Sequence, residues 1–297
     1  MLKFEQTSFT YPDGAEHPDA VLKDISFDVS PGEFVVILGE NGAGKTTLCK
    51  LANGLLKPTA GRVLVDGEDT RSVKVSRIAQ KAGYLFQNPD RQLCRNTVRE
   101  EIGFGMEFAL AGIAAAAGLR KAEAAAELEA EKNRRCGEML ELFGLDGNRD
   151  PFGLSRGERQ QCALATVIAR HPELLILDEP TTGLDYRECM TIMEIIAGLN
   201  AGGTTVLMIT HDMEVTANFA RRAMVLSGGE LIGDGPVREI LKDRRLLDRA
   251  SLLPPQIVSL ALSVASHPGD VFSTVFSLDE MVAAVEQAIP QKQGETA

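Results

Sequence analysis

Cysteine, histidine and tryptophan are scarce in this 297-residue chain, which has five, four and none of them respectively. The cysteines are odd in number and none forms a Cys-x-x-Cys pair. These absences argue against a disulfide framework and against a zinc knuckle. Free thiols are typical of a reducing compartment.

The chain also lacks a basic block, because 42 acidic residues outnumber 31 basic ones and give a net charge of −11. Nucleic-acid binding depends on basic groups that neutralise phosphates, so we expect no nucleic-acid partner. The longest uncharged stretches, Phe108 to Leu119 and Ser251 to Ser266, are too short or too interrupted by Pro254 and Pro255 to span a bilayer. The charged opening, Met1 to Glu5, predicts no secretory leader. A membrane role would therefore require a partner.

Short apolar segments alternate with helical patterns along the chain. Several of these segments are rich in Val and Ile, and each is bounded by Gly, Pro or Asp, which predicts buried strands: Phe34–Leu38, Arg62–Val65, Gly83–Phe86, Leu174–Leu177, Thr205–Ile209 and Ala223–Leu226. Helices are predicted at Lys45–Asn53, Thr97–Phe108, Glu158–Arg170, Arg187–Leu199 and Met213–Ala220. This alternation predicts an α/β fold with a largely parallel sheet. The opening segments, Phe4–Thr10 and Val21–Ser30, predict an antiparallel piece beside it.

Two regions depart from this alternation. Residues 109–143 are rich in Ala, Glu and Arg, which predicts a helical subdomain, about 97–170, inserted between the halves of the sheet. After residue 246 the strand patterns stop, and helices are predicted after Pro254 and over Leu278–Ala288. We therefore expect a main domain over residues 1–245 and a small C-terminal helical extension over residues 246–297.

A glycine-rich stretch, Gly39-Glu40-Asn41-Gly42-Ala43-Gly44-Lys45-Thr46, follows the first predicted strand and opens a predicted helix. This context predicts a phosphate-binding loop, because glycines let backbone N–H groups turn around phosphate oxygens at a helix N-terminus. Lys45 is placed to bridge the β- and γ-phosphates, and Thr46 to offer its hydroxyl to Mg²⁺. The alternative is a chance glycine-rich turn, which the combination of strand, lysine, threonine and helix disfavours.

Two carboxylates, Asp178 and Glu179, follow the apolar strand Leu174–Leu177. Ligands collect at the carboxyl ends of parallel strands, so these side chains are expected beside the phosphate loop. Asp178 could hold Mg²⁺ through water, and Glu179 could orient and deprotonate an attacking water. Alternatively, the pair simply ends a strand in solvent, which the phosphate loop makes the weaker interpretation.

A third stretch, Leu154-Ser155-Arg156-Gly157-Glu158, precedes a predicted helix. Ser155 and Glu158 have the spacing of a capping box, which alone would explain both residues. A capped helix N-terminus with a glycine in its first turn is also a good anion site. The stretch by itself does not decide between these two interpretations.

The order of these motifs resembles the ATP-binding subunits of ATP-binding-cassette (ABC) proteins over about the first 240 residues. The resemblance implies an ATPase of the phosphate-loop NTPase fold, in which Lys45 of one chain and Ser155 of another enclose the same ATP. It also implies that Tyr11 stacks on adenine, Gln87 contacts Mg²⁺ and the attacking water, and His211 reaches the γ-phosphate. Thr182-Gly183-Leu184-Asp185 would contact the opposing subunit.

The resemblance assigns three overlapping sets of residues. The catalytic set is Glu179, His211, Lys45 and Gln87, and the Mg²⁺ set is Thr46, Gln87 and Asp178. The ATP-binding set is Tyr11, Gly39, Glu40, Asn41, Gly42, Ala43, Gly44, Lys45, Thr46, Thr47, Ser155 and Gly157. Two positions depart from the family: Arg156 stands where a glycine is usual, and Glu158 replaces Gln. Since every other catalytic position is intact, we expect a working site rather than an altered half-site.

Three shorter stretches resemble the ATPases of energy-coupling-factor importers of vitamins or transition-metal ions: Ser8–Pro12, Gln87–Leu93 and the tail from Pro254. This likeness implies a dimer with a second ABC ATPase, identical or paralogous, through the C-terminal extension. It also implies a transmembrane scaffold, a small substrate-binding membrane protein and a peripheral position on the cytoplasmic face of the membrane. The alternatives are an ATPase of another ABC transporter class and a soluble ABC ATPase acting on DNA or ribosomes.

Overall fold

The computed structural model describes residues 1–12, 20–106, 121–267 and 270–288. Within these ranges the strands form two sheets. The strands are β1 Leu2–Phe9, β2 Leu22–Val29, β3 Phe34–Leu38, β4 Ala60–Val65, β5 Glu68–Asp69, β6 Ala82–Leu85, β7 Leu174–Asp178, β8 Thr205–Ile209, β9 Arg222–Ser227 and β10 Glu230–Pro236.

The larger sheet has the strand order β10-β9-β3-β8-β7-β6. Its strands β9, β3, β8, β7 and β6 are parallel, and β10 pairs antiparallel with β9 at one edge. Strands β3, β7 and β8 are buried along their whole length, which explains their continuous apolar sequences. The carboxyl ends of β3, β6, β7 and β8 consequently bring Gly39, Gln87, Asp178 and His211 to the same edge of the sheet.

The smaller sheet is antiparallel, with the order β2-β1-β4-β5. The opening antiparallel piece is thus confirmed, but the segment Arg62–Val65 belongs to it rather than to the parallel sheet. Its alternating burial, in which Val63 and Val65 are buried and their neighbours more exposed, is that of a strand with one solvated face. Together the two sheets confirm the predicted α/β class with an antiparallel subdomain.

The helices follow the parallel strands and cover the sheet. Their bounds are α1 Lys45–Ala52, α2 Val75–Lys81, α3 98–106, α4 Lys121–Phe143, α5 Arg156–Ile168, α6 Tyr186–Ala201, α7 Met213–Phe219, α8 Val237–Ile240, α9 Arg244–Arg249, α10 Gln256–Val264 and α11 Leu278–Ala288. Helices α3, α4 and α5 lie in the stretch predicted as a helical subdomain, of which residues 107–120 lie outside the described residues. In α4, Glu131 and Arg135 form an i,i+4 ion pair at 2.6 Å.

Strand β3 divides the core between two hydrophobic clusters. Val35 and Ile37 pack with β1, β2, β4 and α1, whereas Phe34, Val36 and Leu38 pack with the helices on the opposite face. The alternation follows from the two-residue period of a strand. The phosphate loop that follows β3 is therefore anchored on both sides by packed core.

The C-terminal helices have a small cluster of their own, formed by Ala261, Val275, Met281 and Ala284. They are also joined to the main core, since Val258 and Phe276 belong to its larger cluster. Helix α9 crosses residues 245 and 246, where the boundary between the two domains was placed, and the division stays a prediction. Among the described residues, no helix is both long and apolar enough to cross a membrane.

Candidate nucleotide-binding and hydrolysis site

The loop between β3 and α1 depends on two glycines that no larger residue could replace. Gly39 has φ 151°, and a Cβ there would lie 2.2 Å from the carbonyl oxygen of Leu226 on β9. Gly44 has φ 101°, and a Cβ there would lie 2.7 Å from Cδ2 of Leu22. The loop is therefore pressed between two strands, and its backbone rather than its side chains faces a ligand.

Lys45 begins helix α1 and is 7% exposed. Its Nζ donates to the carbonyl oxygens of Gly39 at 2.7 Å and Glu40 at 2.9 Å, so the ammonium lies over the loop. Burial lowers the pKa of Lys45, and the negative charges of Glu179 and Asp178 oppose that effect. The site thus contains a cation next to the N-terminus of a helix, which favours a polyanionic ligand.

Asp178 ends strand β7 and is 2% exposed. Thr46 Oγ1 donates to its Oδ1 at 3.3 Å, and Tyr84 OH donates to its Oδ2 at 3.2 Å. Burial raises the pKa of Asp178, while these two hydrogen bonds lower it. The predicted Mg²⁺ residues Thr46 and Asp178 are thus in contact and offer the hydroxyl and carboxylate oxygens that this ion prefers.

Three side chains contact the Glu179 carboxylate, one of them from its own loop. Gln87 Nε2 donates to its Oε2 at 2.9 Å and Thr182 Oγ1 donates to the same oxygen at 3.0 Å. His211 Nε2 lies 2.8 Å from Oε1. Glu179 also has φ 52°, a left-handed conformation that non-glycine residues seldom adopt and that clusters at functional sites. The predicted catalytic residues Glu179, Gln87 and His211 therefore form one hydrogen-bonded group.

A cleft of about 300 Å³ joins these groups. Its lining residues are Val21, Asn41, Gly42, Gly44, Lys45, Thr46, Thr47, Gln87 and Glu179. Ala43 is buried beneath the loop. Tyr11 stands at the edge of the cleft, where its hydroxyl is 3.1 Å from Thr47 Oγ1 and its ring meets Phe9 edge-on. The proposed stacking of Tyr11 on adenine stays a prediction.

Ser155 and Gly157 do not line this cleft. Ser155 caps helix α5, with its Oγ accepting from Glu158 N at 3.2 Å while Glu158 Oε2 accepts from Ser155 N at 2.7 Å. The capping box is confirmed, and Ser155 is exposed at the helix start. Gly157 is buried against Glu188 of α6. The chain therefore presents a capped helix N-terminus on its surface, apart from its own phosphate loop.

Sequence reasoning missed two participants. Tyr84 was predicted only as part of an apolar strand. A buried tyrosine needs a hydrogen-bond partner for its hydroxyl. That requirement could have pointed to the neighbouring strand, which ends at Asp178. Thr182 was named for its loop and not as a donor to Glu179. Its spacing of three residues after that carboxylate, across a turn, was the available signal.

Comparison with known proteins agrees with this geometry. Residues 22–182 match the ABC transporter family model. The energy-coupling factor transporter ATP-binding protein EcfA of Methanothermobacter thermautotrophicus is 41% identical over 93% of this chain and 84% of its own length. An ABC transporter ATP-binding protein of Caldanaerobacter subterraneus is 38% identical over 97% of this chain, but the chain spans 46% of that protein's length.

Solved structures have the same fold. The ATP-binding cassette MJ0796, in a dimeric post-hydrolysis state bound to ADP and Pi, has a TM-score of 0.69 and 29% identity, covering 80% of this chain and 99% of that one. The cbiO1 protein of Clostridium perfringens, part of the ABC transporter complex cbiONQ, has a TM-score of 0.67 and 29% identity, covering 83% of this chain and 92% of that one. The chain therefore belongs to the ABC transporter family, and energy-coupling factor ATP-binding proteins are among its relatives.

Proposed function

We propose that this chain hydrolyses ATP to energise a membrane importer of the energy-coupling-factor type, as one half of a head-to-tail dimer. The observation that carries the proposal is the convergence on one cleft of a buried lysine, the Thr46–Asp178 pair and a carboxylate held by three donors. A site that only bound a nucleotide would not need Glu179 held in this way.

The phosphate loop and Lys45 bind the triphosphate. Phosphate oxygens replace the carbonyl oxygens of Gly39 and Glu40 as acceptors for Lys45 Nζ, and the N-terminus of α1 adds backbone donors. Thr46, Asp178 and Gln87 would hold Mg²⁺, which neutralises charge on the phosphate oxygens when bound. Thr46 and Asp178 already share a hydrogen bond, so little rearrangement is needed to present their oxygens together.

Glu179 acts as the general base. A base must lie within hydrogen-bond reach of the water it deprotonates, and Glu179 lines the same cleft as Lys45. Gln87, Thr182 and His211 keep its two oxygens oriented, and one of these donors gives way when water binds. The proton of the attacking water passes to Glu179 as the bond to the γ-phosphorus forms and ADP leaves.

A second chain completes the site. Ser155 and Gly157 lie outside the cleft that Lys45 lines, so in a dimer the capped N-terminus of α5 can meet the phosphates bound by the partner. The dimeric cassette structure with ADP and Pi supports this arrangement by similarity. The chain would sit peripherally on the cytoplasmic face of the membrane, bound to a transmembrane scaffold and a small substrate-binding membrane protein.

The first test is Glu179→Gln. We expect the purified variant to bind Mg-ATP but to turn over at least about a hundredfold more slowly, because it lacks a base. With ATP it should stay in the closed dimer and retain its bound ATP through a size-exclusion column, while wild type hydrolyses the ATP and releases ADP. Glu230→Gln, the same exchange on the exposed end of β10, should behave as wild type. Unchanged turnover in Glu179→Gln would remove Glu179 from the role of base.

The second test addresses the partners. The tagged chain is purified from gently solubilised membranes, and the proteins that accompany it are identified by mass spectrometry. A multispan protein with a small membrane protein would support the importer. A chain absent from membranes, with soluble partners alone, would overturn transport and favour the soluble ABC ATPase.

A further inference from the structure

Helix α5 contacts the start of helix α6 and the loop before it at two glycines, Gly157 in the first turn of α5 and Gly183 in that loop. The guanidinium of Arg156 lies against Gly183, where a Cβ would be 2.7 Å from Arg156 Nε and 2.8 Å from its Cζ. In return, the carboxylate of Glu188 lies against Gly157, where a Cβ would be 2.3 Å from Glu188 Oε1. We call these four residues the α5–α6 contact. Each helix start therefore constrains the position of the other.

The α5–α6 contact is connected to the catalytic carboxylate by one residue. Thr182 directly precedes Gly183, and its Oγ1 donates to Glu179 Oε2 at 3.0 Å. Arg156, Thr182 and Gln87 also line a common cleft of about 260 Å³, so Arg156 faces the same region as the donors to Glu179. The side chain of Arg156 is thus two contacts away from Glu179 of its own chain.

Arg156 could act in two distinguishable ways. In a head-to-tail dimer its charge could bind the partner's triphosphate directly, and its loss would then weaken ATP binding. In the second way it would hold the loop of its own chain, and its loss would leave ATP binding largely intact. The observed geometry favours the second, because the guanidinium packs against Gly183 of its own chain, where the absence of a Cβ leaves room for it.

We propose that Arg156 is a positioning residue that, through Gly183 and Thr182, holds Glu179 of its own chain in register with helix α5. This inference rests on the proposed function, in which Glu179 is the base and α5 meets the partner's nucleotide. The side chain of Arg156 at the start of α5 would then set the position of the base of its own chain.

The kinetic test compares Arg156→Gly with Arg187→Gly, a matched exchange of an exposed arginine in the first turn of α6. We expect Arg156→Gly to lower kcat on the order of 10- to 100-fold with KM for ATP changed less than about twofold, because misplacement of a reacting group slows chemistry. Arg156→Lys should recover part of kcat, since its stem still covers Gly183. A raised KM with unchanged kcat would overturn the positioning role and indicate direct phosphate binding.

The structural test needs no hydrolysis. Amide hydrogen exchange is measured by mass spectrometry on the full chain without nucleotide, at the peptide containing residues 182–185. Arg156→Gly should speed exchange there and Arg187→Gly should not. Unchanged exchange in Arg156→Gly would overturn this inference whatever its kinetics, whereas a wild-type chain that hydrolyses no ATP would overturn the proposed function instead.

Discussion

At the residue scale, Asp178 is a carboxylate whose burial disfavours its charged form. Burial raises its pKa above the ordinary range, and the hydrogen bonds from Thr46 and Tyr84 only oppose that effect. A carboxyl group whose pKa is raised in the folded state binds its proton more tightly there than in the unfolded chain. Its ionisation therefore lowers the free energy of unfolding as the pH rises through the folded-state pKa.

Asp178→Asn should consequently stabilise the protein while abolishing Mg²⁺-dependent hydrolysis. We expect the thermal midpoint at pH 7 to rise by a few degrees, and the gain to disappear below about pH 4, the ordinary pKa of aspartate, where wild type is also neutral. Circular dichroism suits the measurement, because the chain has no tryptophan. A midpoint lowered at pH 7 would mean that the hydrogen bonds to the charged form outweigh its desolvation.

Asp66→Asn is the control, because the pKa of Asp66 is shifted in the opposite direction from that of Asp178. The hydrogen bond from Lys81 lowers the pKa of Asp66, so its charged form is favoured in the folded protein. Stability from such a group is present above the ordinary aspartate pKa and is lost as the pH falls through the folded-state value. Since this ion pair is exposed, Asp66→Asn should lower the midpoint slightly or leave it unchanged at pH 7.

At the element scale, helices α5 and α6 both begin with a capping box. Comparing them distinguishes the effect of a cap on stability from its effect on hydrolysis. Ser155 and Glu158 form the capping box of α5, and Asp185 and Glu188 form that of α6. Loss of a helix N-cap costs about 0.5–2 kcal/mol. Ser155→Ala and Asp185→Ala should therefore lower the free energy of unfolding by similar amounts, measured in urea.

Ser155→Asp should restore the cap of α5, because aspartate caps as well as serine. Hydrolysis should nevertheless fall at least about tenfold, since the added negative charge would face the partner's phosphates. Full ATPase activity in a stable Ser155→Asp variant would leave Ser155 a structural cap only.

An element could be predicted from the sequence where its apolar residues have a clear period and where Gly, Pro or a capping residue marks its ends. Strand β3 and helix α11 lie where expected, as do the capping box of α5 and the phosphate loop. Strand β10 was missed because its sequence, Glu-Leu-Ile-Gly-Asp-Gly-Pro, has little apolar alternation. Pairing with β9 makes it a strand, and the turn at Gly228 and Gly229, with φ 55° and 83°, was the hairpin signal available.

The sequence could not predict which sheet a strand joins or which loops meet in the folded chain. Nothing in the segment around β4 distinguishes a strand of the antiparallel sheet from one of the parallel sheet, because that choice is made by β1, far away in the chain. The group around Glu179 is similar in part: Thr182 lies three residues after Glu179, but the contacts of Gln87 and His211 with Glu179 depend on the tertiary arrangement of three loops.

At the scale of the whole molecule, the C-terminal helices present an apolar face that the other described residues leave partly exposed. Large apolar side chains there are between 39% and 68% exposed: Leu260, Val264, Leu278, Val282 and Val285. Such a patch is typical of an interaction surface. It accords with the prediction that the extension joins two chains.

Leu278→Asp combined with Val282→Asp should weaken nucleotide-free dimerisation at least about tenfold, because burying two unpaired carboxylates in an interface costs free energy of desolvation. Analytical ultracentrifugation over a range of chain concentrations measures the dissociation constant. Gln287→Asp, at an exposed polar position of the same helix, is the control. An unchanged dissociation constant in the double variant would place the dimer contact elsewhere.

Strand β3 lies between β8 and β9, although both are made long after it. During synthesis, at about 5–20 residues per second, its edges stay unpaired on the order of 10 to 30 s, until residue 205 and beyond have emerged. An uncovered strand of sequence Phe-Val-Val-Ile-Leu is a template for aggregation in that interval. The nascent chain therefore needs protection at this segment, and it can acquire the capacity to hold a nucleotide only after β8 and β9 have been made.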